Sequence, residues 1–175
     1  MARTTASDWI ASVDEALATL LKTCSQIFIT GLSMGGTLVL RLAEQRGGEV
    51  AGLVVVNASL ATERRDAKLL PIASRLVGSF AGIASDIKKS GMTELAYDRL
   101  PLKAAYSLQR AWPLIRADLP RISCPVLAYR SAIDHVVEPV SGRVLLAGLA
   151  GGTVEERGLT DSFHVATLDN DAPTI

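Results

Sequence analysis

Residues 26–36 read Gln-Ile-Phe-Ile-Thr-Gly-Leu-Ser-Met-Gly-Gly, and this stretch decides the fold. Its first five residues form an apolar run that predicts a strand, and residues 37–44 carry apolar side chains that predict a helix ending at Gly47-Gly48. Between them, residues 31–35 match the pattern G-x-S-x-G, in which a serine sits on a tight turn from strand to helix. The pattern alone is weak because Gly and Ser are common in this chain, but its position between a strand and a helix makes Ser33 a candidate nucleophile.

The rest of the chain predicts a parallel α/β sheet of about four strands. Apolar runs predict further strands at residues 51–56 and 125–129, and a weaker strand is predicted at 152–156. Amphipathic helices are predicted over residues 8–21 and 139–149. Strands that alternate with helices are typical of a parallel α/β sheet, and the 175 residues fit a single domain.

Residues 60–119 interrupt this alternation. They carry helical patterns but no convincing strand, so we expect a helical cap insertion over one edge of the sheet. The insertion also holds apolar residues that belong either to the core or, if the site described below acts on esters, to a site for an uncharged acyl chain. These residues are Leu69, Ile72, Leu76, Val77 and Phe80.

Composition excludes several classes of function. Hydrophobic residues make up 49% of the chain and charged residues 21%, as in a soluble domain with a sizeable core. Eighteen basic residues balance eighteen acidic ones, so we expect a neutral small molecule as partner and not a nucleic acid. No apolar run is long enough to span a bilayer and the N-terminus does not resemble a signal peptide, which predicts a cytoplasmic protein with Cys24 and Cys124 as free thiols.

A serine nucleophile needs a general base, and the chain has only two histidines, His135 and His164. His135 directly follows the best candidate for the acid, and a carboxylate on the neighbouring residue could not readily orient it. His164 lies in the loop after the last predicted strand. We therefore predict that His164 is the base.

The acid that orients this histidine should lie at the same end of the sheet as Ser33. Asp134 lies just past the carboxyl end of the strand at 125–129, where open α/β sheets hold their sites. Asp118 precedes that strand and lies at the wrong end, and Asp161 is interpreted as a turn residue. Asp134 is therefore the predicted acid.

Three segments resemble a known family. They read Gly-Leu-Ser-Met-Gly-Gly-Thr at 31–37, Asp-His-Val-Val-Glu-Pro at 134–139 and Ser-Phe-His-Val-Ala-Thr-Leu-Asp-Asn-Asp at 162–171. In them the chain resembles bacterial carboxylesterases related to monoacylglycerol lipases, which have the α/β-hydrolase fold. The order serine, aspartate, histidine is also the order that this fold uses.

The resemblance covers nearly the whole chain and implies roles for individual residues. It implies Ser33 as nucleophile, Asp134 as acid, His164 as base and the backbone N–H of Met34 as an oxyanion donor. Members of the family begin with several more strands and a His-Gly loop that supplies a second oxyanion donor, and their last helix continues past the position of Ile175. We therefore expect a fragment that is truncated at both ends.

The expected reaction is hydrolysis of a small-molecule carboxylic ester through an acyl-enzyme. No metal or cofactor is expected, because two His and two Cys without ligand-like spacing argue against a zinc site. Two alternatives stay open. One is a catalytically impaired module that binds an acyl ligand or a protein partner, and the other is another acyl-transfer reaction such as thioester hydrolysis.

Overall fold

The computed structural model describes residues 3–82, 85–149 and 152–175. Its strands are β1 (Phe28–Leu32), β2 (Gly52–Val56), β3 (Ser79–Ala81), β4 (Arg99–Pro101), β5 (Val126–Ser131) and β6 (Val154–Leu159). Its α-helices are α1 (Ala6–Leu20), α2 (Met34–Arg46), α3 (Leu70–Leu76), α4 (Leu102–Asp118) and α5 (Pro139–Gly148).

Four of these strands form the main sheet, in the spatial order β1-β2-β5-β6 with every neighbouring pair parallel. The two central strands are apolar on both faces, and Val55 and Val126 are almost fully buried. The edge strand β6 instead exposes Glu155 and Arg157. The predicted parallel sheet of about four strands is confirmed, and each strand begins one or two residues later than the sequence pattern indicates.

The main core lies between the sheet and the helices on one of its faces. Leu17 of α1, Leu40 of α2, Ile115 of α4 and Leu145 of α5 belong to one buried cluster, together with Leu53 of β2. A smaller cluster joins the carboxyl ends of the central strands to the C-terminal residues, and it contains Val56, Tyr129, Leu159 and Ala166. The carboxyl ends of the strands are therefore packed against the segment that carries His164.

The insertion contains a short antiparallel ribbon that the sequence analysis did not predict. β3 and β4 pair with Phe80 opposite Leu100, so the expectation of no strand between residues 60 and 119 is wrong at these six residues. Three-residue strands are too short to display an alternating pattern, which explains the error. The carboxyl-terminal half of α4 is not part of a cap over the sheet. Ile115 of this helix and Leu119, directly after its end, are buried in the main core.

The apolar residues singled out in the insertion are neither core nor lining of the cavities beside Ser33. Their exposed fractions are 62% for Leu69, 61% for Ile72, 80% for Leu76, 40% for Val77 and 54% for Phe80. The interpretation as core is therefore wrong, whereas the interpretation as a site for an acyl chain is not tested by exposure and stays a prediction. Helical spacing indicates which side chains share a face, but not whether another element covers that face.

The two cysteines are free, as predicted, with Cys24 exposed and Cys124 buried. Across the described part of the chain, each helix falls short of the length and apolar character that a membrane span requires.

Candidate active site

Ser33 lies on a strained turn between β1 and α2. Its backbone has φ 54° and ψ −118°, a conformation that is uncommon for a residue with a side chain. Hydrogen bonds hold the strained residue in position, since its N–H donates to the carbonyl of Val56 at 2.9 Å and its carbonyl accepts from Thr37 and Ser59, each at 3.2 Å. The turn thus fixes the backbone from which the hydroxyl projects.

The glycines around Ser33 are not equivalent. A Cβ on Gly31 would lie 2.5 Å from the backbone carbonyl carbon and oxygen of Gly35, and one on Gly36 would lie 2.8 Å from the Cβ of Ala58. A Cβ on Gly35 would meet nothing within 4 Å. The close approach of the turn therefore requires Gly31 and Gly36, whereas the final glycine of the G-x-S-x-G pattern has room for a side chain.

Asp134 and His164 form a buried pair. His164 Nδ1 lies 2.8 Å from Asp134 Oδ2, and the side chains are only 8% and 7% exposed. The other oxygen of Asp134 accepts hydrogen bonds from the backbone N–H groups of Val136 and Val137, each at 2.8 Å. These bonds fix the plane of the carboxylate, and the carboxylate in turn directs one ring nitrogen of His164, leaving Nε2 for chemistry.

Two residues that the sequence analysis missed hold the backbone of His164. Its carbonyl accepts a hydrogen bond from Nδ2 of Asn57 at 2.8 Å, and its N–H donates to Oδ2 of Asp86 at 3.1 Å. Asn57 is buried, has φ 46° and also bonds to Ser131 of β5. A polar residue directly after a buried strand was the available signal for Asn57, whereas nothing in the sequence around Asp86 distinguishes it.

A further buried carboxylate, that of Asp169, fastens the loop that carries the histidine. It accepts hydrogen bonds from the backbone N–H groups of Lys88, Lys89, Phe163 and Asn170, at 2.7 to 2.9 Å. Burial alone would raise the pKa of Asp169, but these hydrogen bonds outweigh it and hold the pKa below its usual value. Asp169 therefore links the insertion to the histidine loop as an anion.

The rejected candidates have other partners. His135 is exposed, its Nδ1 lies 2.7 Å from Asp86 Oδ1, and its ring packs edge-on against Phe163. Asp161 pairs with Lys88 at 2.6 Å. Asp118 lies 2.6 Å from Arg41, an ion pair that keeps its pKa low. In the described structure, none of the three forms a hydrogen bond or ion pair with the ring of His164.

Two adjoining cavities meet beside Ser33. The first, of about 400 Å³, is lined by Ser33 and His164 together with residues of the insertion, among them Glu94, Tyr97 and Arg99. The second, of about 310 Å³, is mostly apolar, and its walls include Trp9, Leu70, Ala105, Leu108 and Trp112. Met34, Leu100 and Val136 line both cavities. The nucleophile candidate therefore lies in a cavity of mixed polar and apolar lining that adjoins a more apolar one.

Within residues 3–82, 85–149 and 152–175, no three His, Cys, Asp or Glu side chains are grouped as metal ligands would be. Because Ser33 and His164 line one cavity, the chemistry that this site offers is proton transfer between an oriented imidazole and a serine hydroxyl.

A sequence model of the family described as serine aminopeptidase, S33, matches residues 3–171. The chain belongs to this family. Membership in the S33 family of α/β-hydrolases confirms the fold and the resemblance inferred from the three sequence segments. The family takes its name from an aminopeptidase, but this chain is also similar to proteins that are named as lipolytic enzymes.

One such relative is a thermostable monoacylglycerol lipase from Bacillus sp. (strain H-257). It is 39% identical over 181 residues, which cover 100% of this S33-family chain and 69% of that lipase. A solved structure described with LipS and LipT, two metagenome-derived lipolytic enzymes, matches at 40% identity with a TM-score of 0.93, over 99% of this chain and 71% of that one. The monoacylglycerol lipase of Paleococcus ferrophilus matches at 22% identity with a TM-score of 0.72, over 96% and 70% of the two chains, and this likeness concerns the fold alone.

Proposed function

We propose that this S33-family chain hydrolyses carboxylic esters, with Ser33 as nucleophile, His164 as general base and Asp134 as the acid that orients it. The observation that carries the proposal is the buried Asp134–His164 pair, whose histidine lines the same cavity as Ser33. The strained turn at Ser33 supports it, because such strain persists where it serves a function. The similarity to a monoacylglycerol lipase supports the choice of esters.

In the first half of the reaction, Nε2 of His164 removes the hydroxyl proton of Ser33 while Oγ bonds to the ester carbonyl carbon. The carbonyl π bond opens and leaves a negative charge on oxygen. Met34 is the first residue of α2, so its backbone N–H has no carbonyl partner within the helix and can donate to this oxyanion. Asp134 stabilises the imidazolium that forms.

The tetrahedral intermediate then collapses to an acyl-enzyme. The carbon–oxygen bond to the alcohol breaks, and His164 gives its proton to the departing alkoxide. In the second half, His164 takes a proton from water as that water attacks the acyl carbon. The bond between the acyl carbon and Ser33 Oγ then breaks, Oγ takes the proton back from His164, and the carboxylic acid is released.

The two cavities favour an amphiphilic ester. Glu94, Tyr97 and Arg99 give the cavity of Ser33 a polar wall, which suits an alcohol that carries further hydroxyl groups. The second cavity is lined by Leu70, Leu108 and other apolar residues, which suits an acyl chain. We therefore assign the acyl group to the second cavity, and a monoester of a small polar alcohol is the substrate class that fits both.

The test is steady-state hydrolysis of p-nitrophenyl butyrate, a monoacylglycerol and an acyl thioester by the 175-residue chain. Ser33→Ala and His164→Ala should each lower kcat by at least about 10³-fold, and His135→Ala should lower it far less. Ester turnover that survives Ser33→Ala would contradict the proposal. Turnover of the thioester at a higher kcat/KM than either ester would replace ester hydrolysis with thioester hydrolysis as the function.

A further inference from the structure

The carboxylate of Asp86 joins the two loops that carry Asp134 and His164. Oδ2 of Asp86 accepts hydrogen bonds from the backbone N–H groups of His164 at 3.1 Å and His135 at 3.2 Å, and Oδ1 lies 2.7 Å from Nδ1 of His135. The backbone carbonyl of Asp86 accepts from the N–H of Val165 at 3.1 Å. One residue of the insertion thus contacts the backbone at the histidine and directly beside the acid.

We propose that Asp86 is a positioning residue that holds the acid loop and the histidine loop in the arrangement that catalysis requires. This inference rests on the proposed function, because it concerns the geometry of the Asp134–His164 pair. Asp86 acts through the backbone, since it binds the N–H of His164 itself and the N–H of His135, which directly follows Asp134. Asn57 binds the carbonyl of His164 from the opposite side, so the histidine backbone is held at both of its polar groups.

A second contact prevents Asp86 from moving independently of the histidine loop. Lys88 and Lys89 lie in the same segment as Asp86, and their backbone N–H groups donate to Asp169 at 2.7 and 2.8 Å. The same carboxylate accepts from the N–H of Phe163, which directly precedes His164, at 2.9 Å. Residues 86–89 of the insertion are therefore bound to the histidine loop at two points.

Asp86 suits this role because its side chain is only 15% exposed and accepts hydrogen bonds at both oxygens. Burial would raise its pKa, but hydrogen bonds from the side chain and backbone of His135 and from the backbone of His164 outweigh that effect and lower the pKa. Asp86 is therefore an anion at neutral pH and a pure acceptor. An asparagine keeps one carbonyl oxygen for the two backbone N–H groups, whereas an alanine leaves both without this partner.

Small displacements of a catalytic group have large kinetic effects. A shift of about 1 Å in a reacting group can lower the rate about 10²-fold, even when the substituted residue never contacts the substrate. Loss of the Asp86 carboxylate would free the backbone of His164 on one side and that of His135 beside the acid. The expected consequence is a fall in kcat with little change in KM, because the two cavities that bind the ester are not lined by Asp86.

The experiment compares Asp86→Ala and Asp86→Asn with the unsubstituted chain, using a p-nitrophenyl ester. Asp161→Asn is the matched control, because it removes the exposed ion pair with Lys88 in the same segment and no bond to the triad backbone. Active sites are counted by titration with a fluorophosphonate, so that kcat refers to reactive protein only. Asp86→Ser, whose hydroxyl is too short to reach both loops, replaces Asp86→Ala if the alanine variant does not fold.

Asp86→Ala should lower kcat about 10- to 100-fold per titrated site and leave KM within about twofold. Asp86→Asn should restore most of kcat, and Asp161→Asn should match the unsubstituted chain. The inference is overturned if kcat per site is unchanged in Asp86→Ala, or if activity falls only in proportion to the number of sites, as a merely structural role would produce. Failure of the proposed function is distinguishable, because the unsubstituted chain would then retain its activity after Ser33→Ala.

Discussion

Asp134 binds His164 with one carboxylate oxygen and the backbone of its own loop with the other. Oδ2 lies 2.8 Å from Nδ1 of the imidazole, and Oδ1 accepts from the N–H groups of Val136 and Val137, each at 2.8 Å. Each oxygen therefore has a separate task. An amide in place of the carboxylate could satisfy only one of the two, because its nitrogen is a donor.

Asp134→Asn is accordingly expected to lower kcat with little loss of folded protein. The same exchange lowers kcat about 10⁴-fold in a serine protease that uses a Ser-His-Asp triad, because the histidine adopts the wrong tautomer. We expect a loss of about 10³- to 10⁴-fold in hydrolysis of a p-nitrophenyl ester. Asp161→Asn is the control, since Asp161 pairs with Lys88 instead, and a larger loss for this variant than for Asp134→Asn would refute the choice of acid.

Substitutions at the glycines around Ser33 should differ sharply. Gly31→Ala would drive a Cβ to 2.5 Å from the backbone of Gly35, which cannot move without distorting the strained turn. We expect it to lower the free energy of unfolding by about 1 to 3 kcal/mol or more, measured by urea denaturation. Gly35→Ala, which has open space, should unfold at nearly the same urea concentration as the unsubstituted chain. Equal midpoints for both variants would mean that the turn is looser than described.

The central strands β2 and β5 were predictable from sequence because they are largely buried and begin with continuous apolar runs. For example, the run of Val54, Val55 and Val56 indicates a buried strand even when the tertiary fold is unknown. Ser33, Asp134 and His164 were selected from the sequence by the chemistry of their side chains and by their positions after predicted strands. Their roles remain predictions that the experiments here address.

The ribbon β3–β4, Asn57 and Asp86 were not predictable in the same way. The ribbon strands have three residues each, too few to establish a period. Asn57 and Asp86 bind His164 across 107 and 78 residues of sequence, and contacts of this kind depend on how distant loops meet. Exposure of Leu76 and Phe80 likewise depends on which elements cover them, and helical spacing carries no information about that.

Glu44 is expected to make the free energy of unfolding depend on pH. Burial raises the pKa of Glu44 to about 7 from 4.5, although the hydrogen bond from Arg41 partly opposes the shift. Between these two pH values the folded chain binds a proton that the unfolded chain has released, so the free energy of unfolding should fall as pH rises from about 4.5 to 7. The full effect of such a shift is about 3 kcal/mol.

Urea denaturation at pH 5 and pH 7.5 measures this effect. Glu44→Gln removes the titrating group, so the difference between the two pH values should shrink by about 2 to 3 kcal/mol relative to the unsubstituted chain. Gln45→Ala, at an exposed position of the same helix, removes no titrating group and should leave the difference unchanged. An equal pH dependence in Glu44→Gln would show that Glu44 is not the group responsible.

The proposed acyl site predicts a change of chain-length preference. Ala105 lines the second cavity, of about 310 Å³, and Ala105→Phe would fill part of it. The ratio of kcat/KM for a dodecanoyl ester to that for a butanoyl ester should fall at least about tenfold, because each excluded methylene forfeits about 0.8 kcal/mol of burial. Ala117→Phe, on the exposed face of the same helix, is the control. An unchanged ratio in Ala105→Phe would show that the acyl chain does not bind in this cavity.

Covalent labelling is the most direct test of Ser33 as the nucleophile. A fluorophosphonate reacts with a serine whose hydroxyl proton is taken by an adjacent base. We expect one adduct per chain, located at Ser33 by peptide mass spectrometry, which is absent from Ser33→Ala and retained in Ser90→Ala at an exposed position. An adduct that persists in Ser33→Ala, or one located at another residue, would contradict this assignment.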